Sequence, residues 1–150
     1  MTDSAATKIQ NLGVNILSQS ITQRFQEQVI RHGDRVAIQC QDRTITYNEL
    51  NGWANQIARA IVDKRGMGAE PIALLFETGP EAIAAILGVL KAGKFYVPLD
   101  MSWPGYRLNS ILEDSQAEII LSNGYQFLAT GLYHPDCLLY TSDAADEGWC

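Results

Sequence analysis

The sequence predicts an α/β fold in which a mostly parallel sheet is flanked by helices, preceded by a helix and a short hairpin. Three observations predict it. Short strand-like runs alternate with segments of helical period, the pattern of strands joined by helical crossovers. Residues 71–76 are apolar and bounded by turns, as suits a strand buried on both faces. Leu90-Lys91-Ala92-Gly93, then Phe95-Tyr96-Val97-Pro98, reads as a helix end, a glycine stop and a strand.

The elements follow in order. Residues 1–19 are polar and weakly periodic, a loose lead-in. Ser20 and Gln23 have the spacing of a capping box, and Ile21, Phe25, Val29 and Ile30 recur at helical spacing. The first helix should run to about His32 and stop at Gly33. Residues 36–40 and 43–46 are strand candidates around Gln41-Asp42, a hairpin-like pair. Thr46 and Glu49 form a second capping box, so a helix should start at Tyr47. Leu50, Ala54, Ile57 and Ile61 fall on one stripe, with Trp53 at its rim, and Gly66 and Gly68 end the helix.

After the 71–76 strand, Pro80 suits a first helical turn. Ala82, Ile83, Ile86, Leu87, Val89 and Leu90 leave that helix almost no polar face, so it should be largely buried. Gly93 is its stop, and Lys91 in the last turn suits the helix dipole. Pro98 cannot donate to a ladder, so pairing should end there. Ser102 can cap a further helix with Pro104 in its first turn and Leu108, Ile111 and Leu112 facing inward. Residues 118–121 read as another strand. Tyr125, Phe127 and Leu128 give a weak helical hint beyond it.

Composition bounds the function. A chain of 150 residues, 47% hydrophobic and 19% charged, can build one domain with a real core. A formal charge of −6 without a Lys/Arg cluster argues against nucleic-acid binding. No apolar run approaches the roughly 18 residues of a membrane span, and no signal-peptide core follows Lys8, so the expected location is cytoplasmic. Cys40, Cys137 and Cys150 show neither metal spacing nor a disulfide framework, and Cys40 suits a small buried hydrophobe in a strand. His32 lacks a neighbouring ligand-type residue and reads as a helix-end surface residue.

The stretch Leu90-Lys91-Ala92-Gly93 through Tyr96-Val97-Pro98-Leu99-Asp100 resembles an early signature of the adenylate-forming enzymes, the AMP-dependent synthetase/ligase superfamily. It is most similar to the N-terminal part of amino-acid adenylation domains in nonribosomal peptide synthetases. Thr44-Ile45-Thr46-Tyr47-Asn48-Glu49-Leu50 resembles the first core motif of that family, and the helix from Asn51 to Ala58 continues it. Trp103-Pro104, Arg107-Leu108 and Leu112-Glu113-Asp114-Ser115-Gln116-Ala117 resemble the following segment. Four matches in order and spacing are specific, and they cover residues 20–123. Met101 stands where the family usually has Pro, and Trp103 where it usually has Tyr.

The resemblance implies an enzyme that activates an amino or related carboxylic acid with ATP and Mg²⁺ to an acyl-adenylate. The acyl group would then pass to the phosphopantetheine thiol of a carrier-protein domain. The alternatives are an acyl- or aryl-CoA synthetase, or a free-standing flavodoxin-like binding module. For the last, Phe76-Glu77-Thr78-Gly79-Pro80 is a poor phosphate loop. The Ser/Thr/Gly-rich phosphate loop of the family, its adenine-binding segment, its metal-linked acids and its catalytic lysine match nothing here. No catalytic, cofactor-binding or metal-binding residue is therefore assigned, and none of these cofactors is expected to bind this stretch by itself. Glu77 and Asp100 follow apolar strands, where α/β folds bind ligands, but a loop or capping role is expected for both.

Residues 137–150 are different. Cys137-Leu138-Leu139-Tyr140-Thr141-Ser142-Asp143-Ala144-Ala145-Asp146-Glu147 resembles the in-frame translation of a transposon-based sequencing-library adapter. The expected division is a lead-in at 1–19, an incomplete N-terminal part of an adenylation domain at 20–136, and a non-native tail at 137–150.

Overall fold

The computed structural model describes residues 18–123 and the backbone of residues 137–139. Helix α1, Ile21–His32, starts at Ser20, whose hydroxyl accepts from the Gln23 N–H while the Gln23 side chain accepts from the Ser20 N–H. Strands β1, Val36–Cys40, and β2, Arg43–Thr46, pair antiparallel through a turn at Gln41. Helix α2, Tyr47–Arg65, begins with the same reciprocal cap between Thr46 and Glu49. These elements match the expected ones residue for residue, because a capping box marks the first helical residue chemically.

The sheet proper holds β3, Pro71–Leu75; β4, Phe95–Leu99; β5, Ile119–Ser122; and β6, Cys137–Leu139. Their order is β4-β3-β5-β6 and every pairing is parallel. Helix α3, Pro80–Lys91, joins β3 to β4, and α4, Gly105–Ser115, joins β4 to β5. The β6 residues lie in the segment read as adapter-derived, and they pair with β5 from Ile120 opposite Cys137 to Ser122 opposite Leu139. The lead-in before Ser18 and the helical hint at Tyr125, Phe127 and Leu128 lie outside the described residues.

Two cores sandwich the sheet. On one face, Ile72, Leu74, Ile119 and Leu121 pack with Leu50, Ala54, Ile57 and Ile61 of α2 and Ala84, Ala85, Leu87 and Val89 of α3. On the other, Ala73, Leu75 and Ile120 pack with Leu99 and with Leu108 and Leu112 of α4. This alternation is why 71–76 is apolar without a polar face. Each fully buried Leu or Ile contributes about 1.5–3 kcal/mol, so these strands carry much of the stability. Trp53 is half-buried at the rim of the first core, as its position on the stripe predicts.

Four local expectations are corrected. Pairing does not stop at Pro98, which lies opposite Leu74 within β4. Among the described residues β4 is an edge strand, where a missing N–H on the open side costs no ladder bond. Ser102 does not cap α4. Its N–H donates to Asp100 Oδ1 at 2.8 Å, and the helix starts three residues later with Pro104 at the cap position. Ile21 and Ile30 are 67% and 77% exposed, because α1 rests on its neighbours along the narrow line of Phe25 and Val29. Cys40 is half-buried, since it closes β1 at the hairpin tip.

Gly93, at φ 73°, gives the left-handed turn that ends α3 and starts β4. At this amino end of the sheet, Lys94 is buried, and its Nζ donates to Gly66 O at 2.9 Å and Gly68 O at 2.8 Å. Arg65 pairs with Glu70 at 2.8 Å and also with Glu118, which ties the start of β5 to the end of α2.

Candidate functional site

The chain leaves β3 for β4 on one side and returns to β5 on the other. The carboxyl ends of β3 and β5 therefore flank a point where strand order reverses, the place at which open α/β sheets bind ligands. Two adjoining clefts lie at the carboxyl ends of the strands, the larger between β3 and β4 and the smaller at the switch point between β3 and β5. One, of about 450 Å³, runs from Phe76-Glu77-Thr78 to Leu99-Asp100-Met101 and Trp103. The other, of about 160 Å³, shares Phe76, Glu77 and Thr78 and reaches Arg43 on the hairpin and Asn123 after β5.

The structure thus brings Glu77 and Asp100 to one cleft. Glu77 is exposed in the loop between β3 and α3. Asp100 takes a loop role. It accepts the Ser102 N–H, and its carbonyl accepts the Trp103 N–H at 3.1 Å. The Ser102 hydrogen bonds hold its carboxyl below the usual aspartate range. Helix α3 opens the cleft without a side-chain cap at Gly79. Arg43 pairs with Glu81 at 3.0 Å, which fastens the hairpin to the first turn of α3.

Sequence reasoning missed Thr78, Met101 and Asn123 as cleft residues. Asn123 follows a fully buried strand, and the rule that places ligands after strand ends would have found it. Its Oδ1 is buried with no hydrogen-bond partner. The Arg107 guanidinium stacks on Trp103 at 4.6 Å, which places a cation at the far rim. Among the described residues lining the clefts, the one cation is Arg43, and Glu81 already neutralises it. These walls can orient a small polar group but offer little charge for a polyphosphate. His32, at the end of α1, and Cys40 belong to no metal-ligand group, and the described residues hold no cluster of three His, Cys, Asp or Glu. No helix among the described residues is long and apolar enough to cross a membrane.

Comparison with known proteins agrees with this architecture. Tyrocidine synthase 1 of Brevibacillus parabrevis is 45% identical over 103 residues, which span 69% of this chain and 10% of that protein. Gramicidin S synthase 2 of Aneurinibacillus migulanus is 36% identical over 132 residues, 87% of this chain and 3% of that protein. The chain thus spans a tenth or less of these two curated relatives. The crystal structure of the nonribosomal peptide synthetase FmoA3, in its AMPPNP-bound form, superposes with a TM-score of 0.78 at 26% identity, over 85% of this chain and 14% of that one. The Klebsiella oxytoca NpsA N-terminal subdomain, in complex with anthranilyl-AMSN, shares the fold with a TM-score of 0.71 at 22% identity, over 84% of this chain and 32% of that one. Residues 25–146 match the family described as AMP-binding enzyme, and the chain belongs to that family.

Proposed function

We propose that residues 20–136 form the N-terminal part of an amino-acid adenylation domain. The complete enzyme activates an amino or related carboxylic acid with ATP to an acyl-adenylate and passes it to a carrier-bound phosphopantetheine thiol. The single observation that carries this reading is the 45% identity to tyrocidine synthase 1 over 103 residues. The sheet with a helical layer on each face supports it, because the FmoA3 structure superposes on 85% of the chain. ATP and Mg²⁺ would be held by later parts of the domain, since the clefts lack a phosphate cradle. We assign no catalytic residue to the described part, and we place the enzyme in the cytoplasm.

The N-terminal part supplies the scaffold. It fixes the ends of β3, β4 and β5 as one wall and keeps water from the cores behind them. Residues 137–150 are, in this reading, adapter-derived.

The test is to express the open reading frame recovered from genomic DNA and offer it ATP, Mg²⁺ and single amino acids with hydroxylamine. A hydroxamate formed with at least one acid supports the reading. No hydroxamate with any amino, aryl or aliphatic acid contradicts it.

A further inference from the structure

Helix α1 is weakly anchored. Twelve-residue helices are marginal in water on their own, so packing has to hold it. Val29 is its buried residue, Phe25 is half-buried, and Ile21 and Ile30 face solvent. Phe25 meets Tyr47 of α2 with ring centroids 6.2 Å apart. At the end of α1, the Asn48 N–H of α2 donates to Gly33 O at 2.9 Å, and a further side-chain link comes from Lys91, at the end of α3.

Lys91 Nζ donates to Gln26 Oε1 of α1 at 3.3 Å, to Asn55 Oδ1 of α2 at 2.8 Å, and to Asn51 Oδ1 of α2. It also sits 5.6 Å from the centroid of the Phe25 ring, on α1. Among the described residues no carboxylate pairs with it. An ammonium has three donors and no acceptor, and three amide oxygens match them one for one. A neutral amine would turn a lone pair toward those oxygens and lose the attraction to the ring face. Burial works against the charged form and pushes the amine below its ordinary lysine value.

We propose that Lys91 is an electrostatic latch: its charge, presented from the end of α3, holds α1 on the α2–α3 pair, and loss of that charge frees α1 while the sheet stays folded. The two links to α1, Gln26 and Phe25, both require the ammonium. The two links to α2 hold the amine in place whether or not α1 is docked. Sheet strands β3 and β5 draw their packing from the cores and make no contact with this amine. The inference rests on this geometry and not on the proposed adenylation activity.

Hydrogen exchange of the 150-residue chain, followed by mass spectrometry, tests it. In Lys91→Met, α1 amides should exchange at least tenfold faster, with those of β3 and β5 within twofold of the parent. Lys91→Arg should stay within threefold of the parent throughout, since it keeps the charge and the donors. Gln26→Leu, which leaves Lys91 and both asparagines untouched, should accelerate α1 alone by about threefold. Unchanged α1 exchange in Lys91→Met or in Gln26→Leu would overturn the latch. So would an acceleration of α1, β3 and β5 alike, or an arginine variant that behaves like methionine.

Discussion

Gly88 of α3 lies against Ile57 of α2 so closely that a Cβ at Gly88 would sit 2.6 Å from Ile57 Cγ2 and 2.7 Å from its Cβ. It would also sit 3.0 Å from the backbone oxygen of Ala54. The glycine lets two helices approach at their buried faces, and that approach brings α3 onto the sheet beside α2. Gly88→Ala should therefore destabilise the fold. The gain in helix propensity, about 1 kcal/mol, is set against an overpacking cost of about 1–3 kcal/mol and the shift of a buried backbone. Urea unfolding of the two proteins side by side checks this. An alanine variant as stable as the parent would show that the helices can separate freely.

Lys94 is the second structural anchor. Its side chain is 1% exposed, and its Nζ reaches Glu70 Oε1 at 2.9 Å as well as the two glycine carbonyls. Lys94→Met keeps the stem and removes the charge. Glu70 retains Arg65, but the carbonyls of Gly66 and Gly68 lose their donor, so the expected loss is about 1–3 kcal/mol. Thermal unfolding measures it, and an unchanged transition would show that water replaces the ammonium at no cost.

Acid should expose the same network. Arg65 first, and then Lys94, hold the Glu70 carboxyl below its ordinary value of 4.5. A carboxylate with a lowered folded-state value adds stability that is fully present above its unfolded value and is lost as pH falls through the folded one. Stability should therefore decline below about pH 4.5, and less steeply in Glu70→Gln than in the parent. Parallel declines in the two proteins would remove Glu70 as a cause.

Much of this fold was legible. Ser20 with Gln23, and Thr46 with Glu49, marked helix starts because the cap chemistry is local and needs no tertiary context. The stripe Leu50, Ala54, Ile57, Ile61 marked the buried face of α2 for the same reason. What was not legible depends on distant partners. Lys91 reads as a last-turn cation that suits the helix dipole and the sequence says nothing of Lys94, yet each reaches three acceptors far along the chain. Ser102 looks like a cap because Pro104 follows it, but the helix begins only at Gly105, with Pro104 at the cap position and the Ser102 N–H turned to Asp100 in the loop before it. Pro98 looked like a strand end because the edge position of β4 is not written in its own residues. At the clefts, Glu77 and Asp100 come from the strand-end rule, and the same rule applied to the strand before Asn123 reaches that residue too.

The adapter reading of the tail makes a prediction at the level of the gene. Genomic DNA read across codon 137 should replace residues 137–150 with sequence of the adenylation family leading into a Ser/Thr/Gly-rich loop. The motive is the resemblance of Cys137 to Glu147 to an adapter translation. Recovery of the same eleven codons from an independent source would contradict it.

The central claim is that this chain carries the scaffold of an amino-acid adenylation domain, with the ATP chemistry in parts that lie downstream. ATP–pyrophosphate exchange, measured on the 150-residue chain and on the gene product read from genomic DNA, tests it most directly. The account predicts no amino-acid-dependent exchange by the 150-residue chain and clear exchange by the longer product with at least one carboxylic acid. Robust exchange by the 150-residue chain, or none by the longer product with any acid, would contradict it.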